Sequence, residues 1–209
     1  MNFLRKPFSY TYFNATLKLV IINALVYALT FFLPFVKVIL GLSFDGIYLH
    51  WYWQFVTSLF VHGNMPHILV NMLTLFCFGT VVERAMGSRE FLLFYFVCGI
   101  LETIGSMAIY YILRQPVFLI GASGAIYAIL FAYSVIFPKN KIYIWAIIPV
   151  QAPLLIVIYA VIELGSQIFG FKTGIGHISH LLGLVFAWIY LVVRMGINPL
   201  KVWRDAYRQ

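Results

Sequence analysis

His62-Gly63-Asn64-Met65-Pro66-His67-Ile68-Leu69-Val70-Asn71 runs without a break into Met72-Leu73-Thr74-Leu75-Phe76-Cys77-Phe78-Gly79-Thr80-Val81-Val82. From Met65 to Val82 the chain is apolar for about the length of a membrane-crossing helix, which needs about 20 residues with a range of roughly 17–25. Pro66 fits the first turn of such a helix. His67 and Asn71 are then four apart and share one face. Strongly polar side chains within a span are costly and usually face the interior of a bundle.

Five further apolar segments accompany this one: Leu17–Leu40, Phe91–Leu113, Gly121–Phe137, Ile142–Ile162 and Ile175–Val193. Together they predict an all-α membrane protein of six transmembrane helices, with no repeat, linker or low-complexity tract. The 209 residues are 63% hydrophobic and 10% charged, with a mean hydropathy of +0.96. A soluble domain runs nearer half apolar and a quarter charged, so disorder is excluded and lipid is the expected solvent. The net charge of +8 does not point to nucleic acid, because the basic residues sit at the ends of apolar runs rather than in one stripe.

Those basic residues set the orientation. Arg5, Lys6, Lys18, Arg84, Arg89, Lys139, Lys141, Arg194, Lys201, Arg204 and Arg208 fall on one side, and Lys37, Arg114 and Lys172 on the other. Both termini are therefore expected in the cytoplasm. A single domain over 1–209 follows, with a short cytoplasmic segment at 1–16, a membrane core at 17–193 and a basic cytoplasmic tail at 194–209. Met1 to Thr16 is polar and aromatic and has no signal-peptide pattern. Asn14-Ala15-Thr16 is a glycosylation triplet only formally, since it falls inside. Cys77 and Cys98 lie within apolar runs and do not read as a disulfide framework. The connection from Gly41 to Asn64 carries His50, Trp51, Tyr52 and Trp53, and is expected to lie partly in the outer membrane interface, where Trp and Tyr are favoured.

Two more polar groups open spans on the outer side. Gly121-Ala122-Ser123-Gly124-Ala125-Ile126-Tyr127 begins the fourth, and Gly176-His177-Ile178-Ser179-His180-Leu181-Leu182-Gly183 the sixth. Each has a bland reading: a serine cap for Ser123, and interhelical hydrogen bonding for the histidines and Asn71. His62 and His67 could be metal ligands, but their spacing of five is poor for a helix and no carboxylate joins them. The three groups say more together. Ser123, His67, Asn71 and His180 all lie in the first two turns of helices running inward. Gly124, Ala128 and Ala132 on the fourth span, and Ser179, Gly183 and Ala187 on the sixth, have the four-residue spacing that lets membrane helices approach closely. Such an approach brings a hydroxyl and an imidazole together, as a nucleophile and its base. The glycines permit close backbone approach, and the free N–H groups at the helix start can hold an oxyanion.

At these residues the chain resembles the rhomboid family of intramembrane serine proteases, over most of its length. His-x4-His-x3-Asn at His62, His67 and Asn71, Gly-x-Ser-Gly at Gly121 to Gly124, and His-x-x-Gly at His180 and Gly183 carry the resemblance. It implies that Ser123 is the nucleophile and His180 the general base. His67, Asn71 and the Ser123 backbone N–H would stabilise the oxyanion, with Tyr127 stacked on His180. His62, Gly121, Gly124 and Gly183 would support the site, and Glu83-Arg84 with Gly87 would form a structural end to the second span. His177 would be a decoy, since only His180 has Gly at +3 and a small residue at +7. Gln54 stands where the family often has arginine, Ser179 where it usually has alanine, and Ala187 where it usually has glycine.

No acid lies in the motifs, so the expected machinery is a Ser–His dyad with an acyl-enzyme intermediate, not a triad. Glu163, Ser166 and Gln167 read as interfacial polarity at the outer end of the fifth span. Glu102 reads as a buried structural acid. The resemblance implies transmembrane segments of other proteins as substrates, no cofactor and no metal, and a bacterial plasma membrane with the site facing the extracytoplasmic side. Two rivals remain at this point: a catalytically silent relative that binds membrane clients, and a small histidine-lined transporter.

Overall fold

The computed structural model describes residues 7–144, 147–169 and 176–208. Arg5, Lys6 and Lys172 of the charge count, and Ile175 of the sixth span, lie outside the described residues.

The first apolar segment forms α1 (Ala15–Phe32) and α2 (Pro34–Leu40), because Pro34 has no N–H to continue the first helix. The external connection is folded: β1 (Leu42–Ser43), α3 (Phe44–Tyr48), α4 (Gln54–Thr57) and a tight turn at Ser58–Phe60. The second segment is α5 (Met65–Thr74) and α6 (Thr80–Met86), joined by a wider helical turn at Leu75–Gly79. α7 (Ser88–Ile112) is the longest helix described. β2 (Phe118–Leu119) pairs antiparallel with β1, Leu42 opposite Leu119. Then come α8 (Ser123–Ile136), β3 (Lys141–Ile144), β4 (Ile148–Gln151), α9 (Ala152–Ile168), α10 (His177–Val193) and α11 (Pro199–Ala206).

The fifth segment departs from expectation. Residues expected to open a span at Ile142 instead form an antiparallel ribbon, with Ile142 opposite Val150 and Tyr143 opposite Pro149. Alternating β-branched and aromatic residues suit that ribbon, and Pro149 would break a helix interior. Pro153 then sits in the first turn of α9, its preferred place. The helix compensates by running on to Ile168.

Three helical stretches among the described residues are long and apolar enough to cross a membrane: Ala15–Phe32, Met65–Met86 and Ser88–Ile112. α8, α9 and α10 are shorter, at 14, 17 and 17 residues. At 1.5 Å per residue α8 is about 21 Å long, short of the roughly 30 Å hydrocarbon layer. Its position explains this. α8 is the central helix, with Ala125, Ala128, Ile129 and Ala132 fully buried, packed against α7, α9 and α10. The outer faces of the surrounding helices expose Leu25, Leu69, Leu73, Val161 and Ile189. That is a surface for lipid, not for water.

Buried carboxylates staple the other end of the bundle. Glu83 on α6 accepts the backbone N–H groups of Ala15 (2.6 Å) and Thr16 (2.8 Å), and the Ser88 hydroxyl. It thus caps α1, whose own preceding residue Asn14 offers no side-chain cap. Gly87 turns the chain between α6 and α7 at φ 84°, the left-handed region that favours glycine. Glu90 on α7 accepts from Arg194 Nε (2.9 Å) and Nη2 (3.1 Å) and from the Tyr190 hydroxyl (2.5 Å), tying the end of α10 to the start of α7.

Glu83→Ala should leave two helix-start N–H groups without acceptors and cost about 2–4 kcal/mol. A drop in thermal midpoint in detergent micelles, smaller for Glu83→Gln, is the expected result. An unchanged midpoint for Glu83→Ala would remove the staple from the account.

Candidate active site

The site is built where α8 and α10 touch. A Cβ added at Gly183 would collide with the Gly124 backbone, carbonyl oxygen first. A Cβ at Gly124 would run into the Glu102 carboxyl on α7. Gly183 is therefore a place where backbones approach without room for a side chain, and a side chain at Gly124 would displace the Glu102 carboxyl. The close approach expected from the small-residue spacing is present. It holds Ser123, the residue before Gly124, near the turn of α10 that carries His180.

Ser123 is the first residue of α8, and Ala122 precedes it as the boundary residue with no side-chain cap. The serine is therefore not a cap. It is half-buried and lines a cavity of about 560 Å³ together with His67, Asn71, Gly121, Tyr127 and His180. The sequence-predicted residues are thus gathered on one concave surface, from α5, the start of α8 and the start of α10. His177, the other histidine of α10, is buried but does not line the cavity.

His180 is fixed on two sides. Its ring stacks on Tyr127 with centroids 4.1 Å apart and planes 9° from parallel, the arrangement the resemblance implies. Its Nδ1 lies 2.7 Å from Glu163 Oε1. The same oxygen accepts the Tyr127 hydroxyl at 2.5 Å, and Oε2 lies 2.5 Å from His177 Nδ1. This corrects the reading of Glu163 as interfacial polarity. The acid is buried, and three side chains from α8 and α10 converge on it. No acid lies in the motifs, yet one reaches the histidine from α9. The sequence motifs missed Glu163 because it lies 17 positions before His180 on another helix. The signal that could have found it is an acid inside an apolar span, which is expensive unless it has a partner. His177 is no idle decoy: it holds the second carboxylate oxygen.

On the opposite wall, Asn64 caps α5 by accepting the His67 N–H at 2.9 Å. His67 Nδ1 accepts from the Gly63 N–H at 3.4 Å, which leaves the ring proton on Nε2. Nε2 faces Gly121, where an added Cβ would come within 2.7 Å of it. Gly121 also takes φ 116°, so no other residue fits there easily. Asn71 Nδ2 is buried without a hydrogen-bond acceptor. The cavity thus holds two N–H donors, from His67 and Asn71, beside a helix start whose backbone N–H groups have no intrahelical acceptor.

His62 supports this wall. It is fully buried, its ring packs edge-on to His67 at 5.0 Å, and its Nδ1 lies 3.3 Å from the Phe60 carbonyl. Gln54 is fully buried too. Its amide donates to the Val38 and Ile39 carbonyls, both at 3.1 Å, and its oxygen accepts the Ser43 N–H at 3.3 Å. A neutral amide therefore pins the external loop at the position where arginine was expected. Behind the cavity the Glu102 carboxyl accepts from Ser106 at 3.1 Å, and Ser106 lies 3.0 Å from the Ser179 hydroxyl. Ser179 in place of alanine thus gains a partner.

A family model described as the rhomboid domain matches residues 50–196, which take in every residue of this site. The chain belongs to the rhomboid family. It is similar to the rhomboid protease GluP of Bacillus subtilis (strain 168), 34% identical over 140 residues that make up 65% of this chain and 25% of that protein. It is also similar to the rhomboid protease GlpG of Haemophilus influenzae, 28% identical over 151 residues, 71% of this chain and 74% of that protein. A third relative, the chloroplastic rhomboid-like protein 11 of Arabidopsis thaliana, is 37% identical over 86 residues, 41% of this chain and 29% of that protein. The chain therefore spans only a quarter to a third of GluP and the Arabidopsis protein. Rhomboid membership and the apolar helices make this an integral membrane protein.

Burial first, and the nearby His67 second, push the His62 imidazole down to about 4, against the opposing bond to the Phe60 carbonyl. The unfolded chain takes up that proton near 6.5, so the stability His62 contributes is complete above pH 6.5 and is lost as pH falls toward 4. The loss reaches about 3 kcal/mol. The thermal midpoint of the wild type should fall more steeply from pH 7 to pH 4.5 than that of His62→Gln. Parallel curves would show that His62 stays outside the acid transition.

Proposed function

We propose that this rhomboid is an intramembrane serine endopeptidase that cuts peptide bonds in or near transmembrane segments of other proteins. The observation that carries the proposal is the shared cavity. A half-buried Ser123 at a helix start lies there with a stacked, acid-bound His180, with His67, and with the unmatched Asn71 amide N–H. The names of the relatives GluP and GlpG, both rhomboid proteases, support the same reading.

In the proposed reaction Ser123 Oγ attacks the scissile carbonyl and His180 Nε2 takes its proton. The carbonyl oxygen becomes an oxyanion, met by the Asn71 amide, the His67 Nε2–H and the Ser123 backbone N–H. His180 then gives its proton to the leaving amine, leaving an acyl-enzyme on Ser123. Water attacks that ester with His180 again as base, and the serine is freed. The polar cavity keeps this water within a lipid-facing bundle, as irregular and polar interiors allow where they line a water-filled space. No cofactor or metal takes part in this scheme. Six spans, with both termini in the cytoplasm of a bacterium and the cavity opening outward, are the arrangement we propose for it. The charge split of the Lys and Arg residues supports the orientation, and the six apolar segments of the sequence support the number of spans.

The test is cleavage of a single-span substrate with a helix-weakened segment, in liposomes. Wild type should cut. Ser123→Ala and His180→Ala should not, and a serine-directed fluorophosphonate should label wild type but not Ser123→Ala. Asn71→Ala should lose about 10²–10³-fold in rate, the usual cost of one oxyanion donor. An Asn71→Ala enzyme at full rate would remove Asn71 from that role. A wild type that neither cuts nor takes the label would move the protein to the client-binding relatives.

A further inference from the structure

The geometry around His180 points to Glu163 as a positioning residue that completes a Ser123–His180–Glu163 relay, beyond the serine and histidine expected of this site. The inference rests on the protease reading for its kinetic consequences, but not for its structural ones.

The two nitrogens of one imidazole have different tasks. A general base must present a lone pair at the nitrogen facing the nucleophile, so the proton of the neutral ring must sit on the other. A carboxylate at hydrogen-bond distance from Nδ1 enforces that choice. It also offsets the positive charge the ring acquires when it takes the serine proton. Glu163 Oε1 stands 2.7 Å from His180 Nδ1 and is as buried as the ring it faces, at 5% and 7% exposure. Ring stacking on Tyr127 fixes the plane of the imidazole, but a stack does not distinguish the tautomers. The carboxylate does.

The acid is itself held in place. The Tyr127 hydroxyl donates to the same oxygen at 2.5 Å, and His177 Nδ1 lies 2.5 Å from the other. Tyr127 therefore braces the base twice, through its ring on the imidazole and through its hydroxyl on the carboxylate. His177 keeps Oε2 occupied, so that the carboxylate cannot turn away from His180. Three helices contribute one element each: α8 the nucleophile, α10 the base and α9 the acid. Because the acid comes from α9, the tautomer of the base depends on α9 staying seated against α8 and α10.

The experiment compares wild type with E163Q, E163D and Ser123→Ala in micelles, by two readouts. The first is the nitrogen resonances of the His180 ring, assigned by their absence in His180→Ala. The second is kcat and KM for the helix-weakened substrate. Wild type should show the tautomer protonated at Nδ1, and E163Q a changed tautomer population. The kcat of E163Q should fall by about 10²-fold or more with KM within about twofold, since loss of the tautomer-setting acid acts on chemistry rather than binding. E163D should recover part of the loss. A wild-type ring protonated at Nε2 would overturn the inference on its own, whether or not E163Q folds. So would E163Q with wild-type kcat and tautomer. If wild type shows the Nδ1-protonated ring but cuts nothing, the positioning inference holds and the protease reading fails.

Discussion

The contact between Gly124 and Gly183 is the constraint on which the rest of the molecule depends. Helices in lipid gain little from burying apolar side chains against one another, because the surrounding tails are equally apolar. Close packing and internal hydrogen bonds must hold them together. At Gly183 nothing larger than hydrogen can face the Gly124 carbonyl, and a side chain at Gly124 would displace the Glu102 carboxyl. Three helices thus meet at one level of the bundle. Ser123 and Tyr127 follow from α8 at that level, and Ser179 and His180 from α10. The side chains of the cavity are not placed by their own contacts alone. Their backbones are already fixed by the absence of side chains next to them.

A second constraint is that polar groups inside such a bundle need internal partners. Acids meet this demand at four points. Glu83 caps α1, Glu90 binds Arg194 and Tyr190, Glu102 joins the Ser106–Ser179 pair, and Glu163 gathers Tyr127, His177 and His180. Each links helices that are distant in sequence. The first two stand at the end of the bundle where the basic residues Arg84 and Arg194 collect, and the last two flank the cavity. A chain with only six acids keeps four of them for these joints.

That division explains what could be read from the sequence. Ser123, Gly124, His180 and Gly183 were legible because close helix approach leaves a local mark, small residues four apart beside a hydroxyl or an imidazole. His67 and Asn71 were legible because they share a face within one turn. Glu163 was not, because its meaning depends on α9 lying against α8 and α10, and spacing along the chain records no such contact. The start of α9 was misplaced for a related reason. From Ile142 onward hydropathy alone is the same for a span and for an apolar ribbon, and the ribbon won through its β-branched alternation and Pro149. Gln54 was legible only as a missing arginine. Its bonds to Val38, Ile39 and Ser43 show an amide holding the loop from within.

The unmatched donors carry the argument from fold to chemistry. A buried N–H without an acceptor costs about 1–3 kcal/mol, and natural interiors rarely keep one. Asn71 Nδ2 is kept in that state on the cavity wall. A substrate oxygen entering the cavity would meet it. In the proposed reaction the developing oxyanion is such an acceptor, and a donor held in place on its helix meets it with little reorganisation. The placing of Asn71 then lies in the folded protein, in the packing of α5 against α8, and in the proposed reaction it lowers the barrier of the step in which the oxyanion forms.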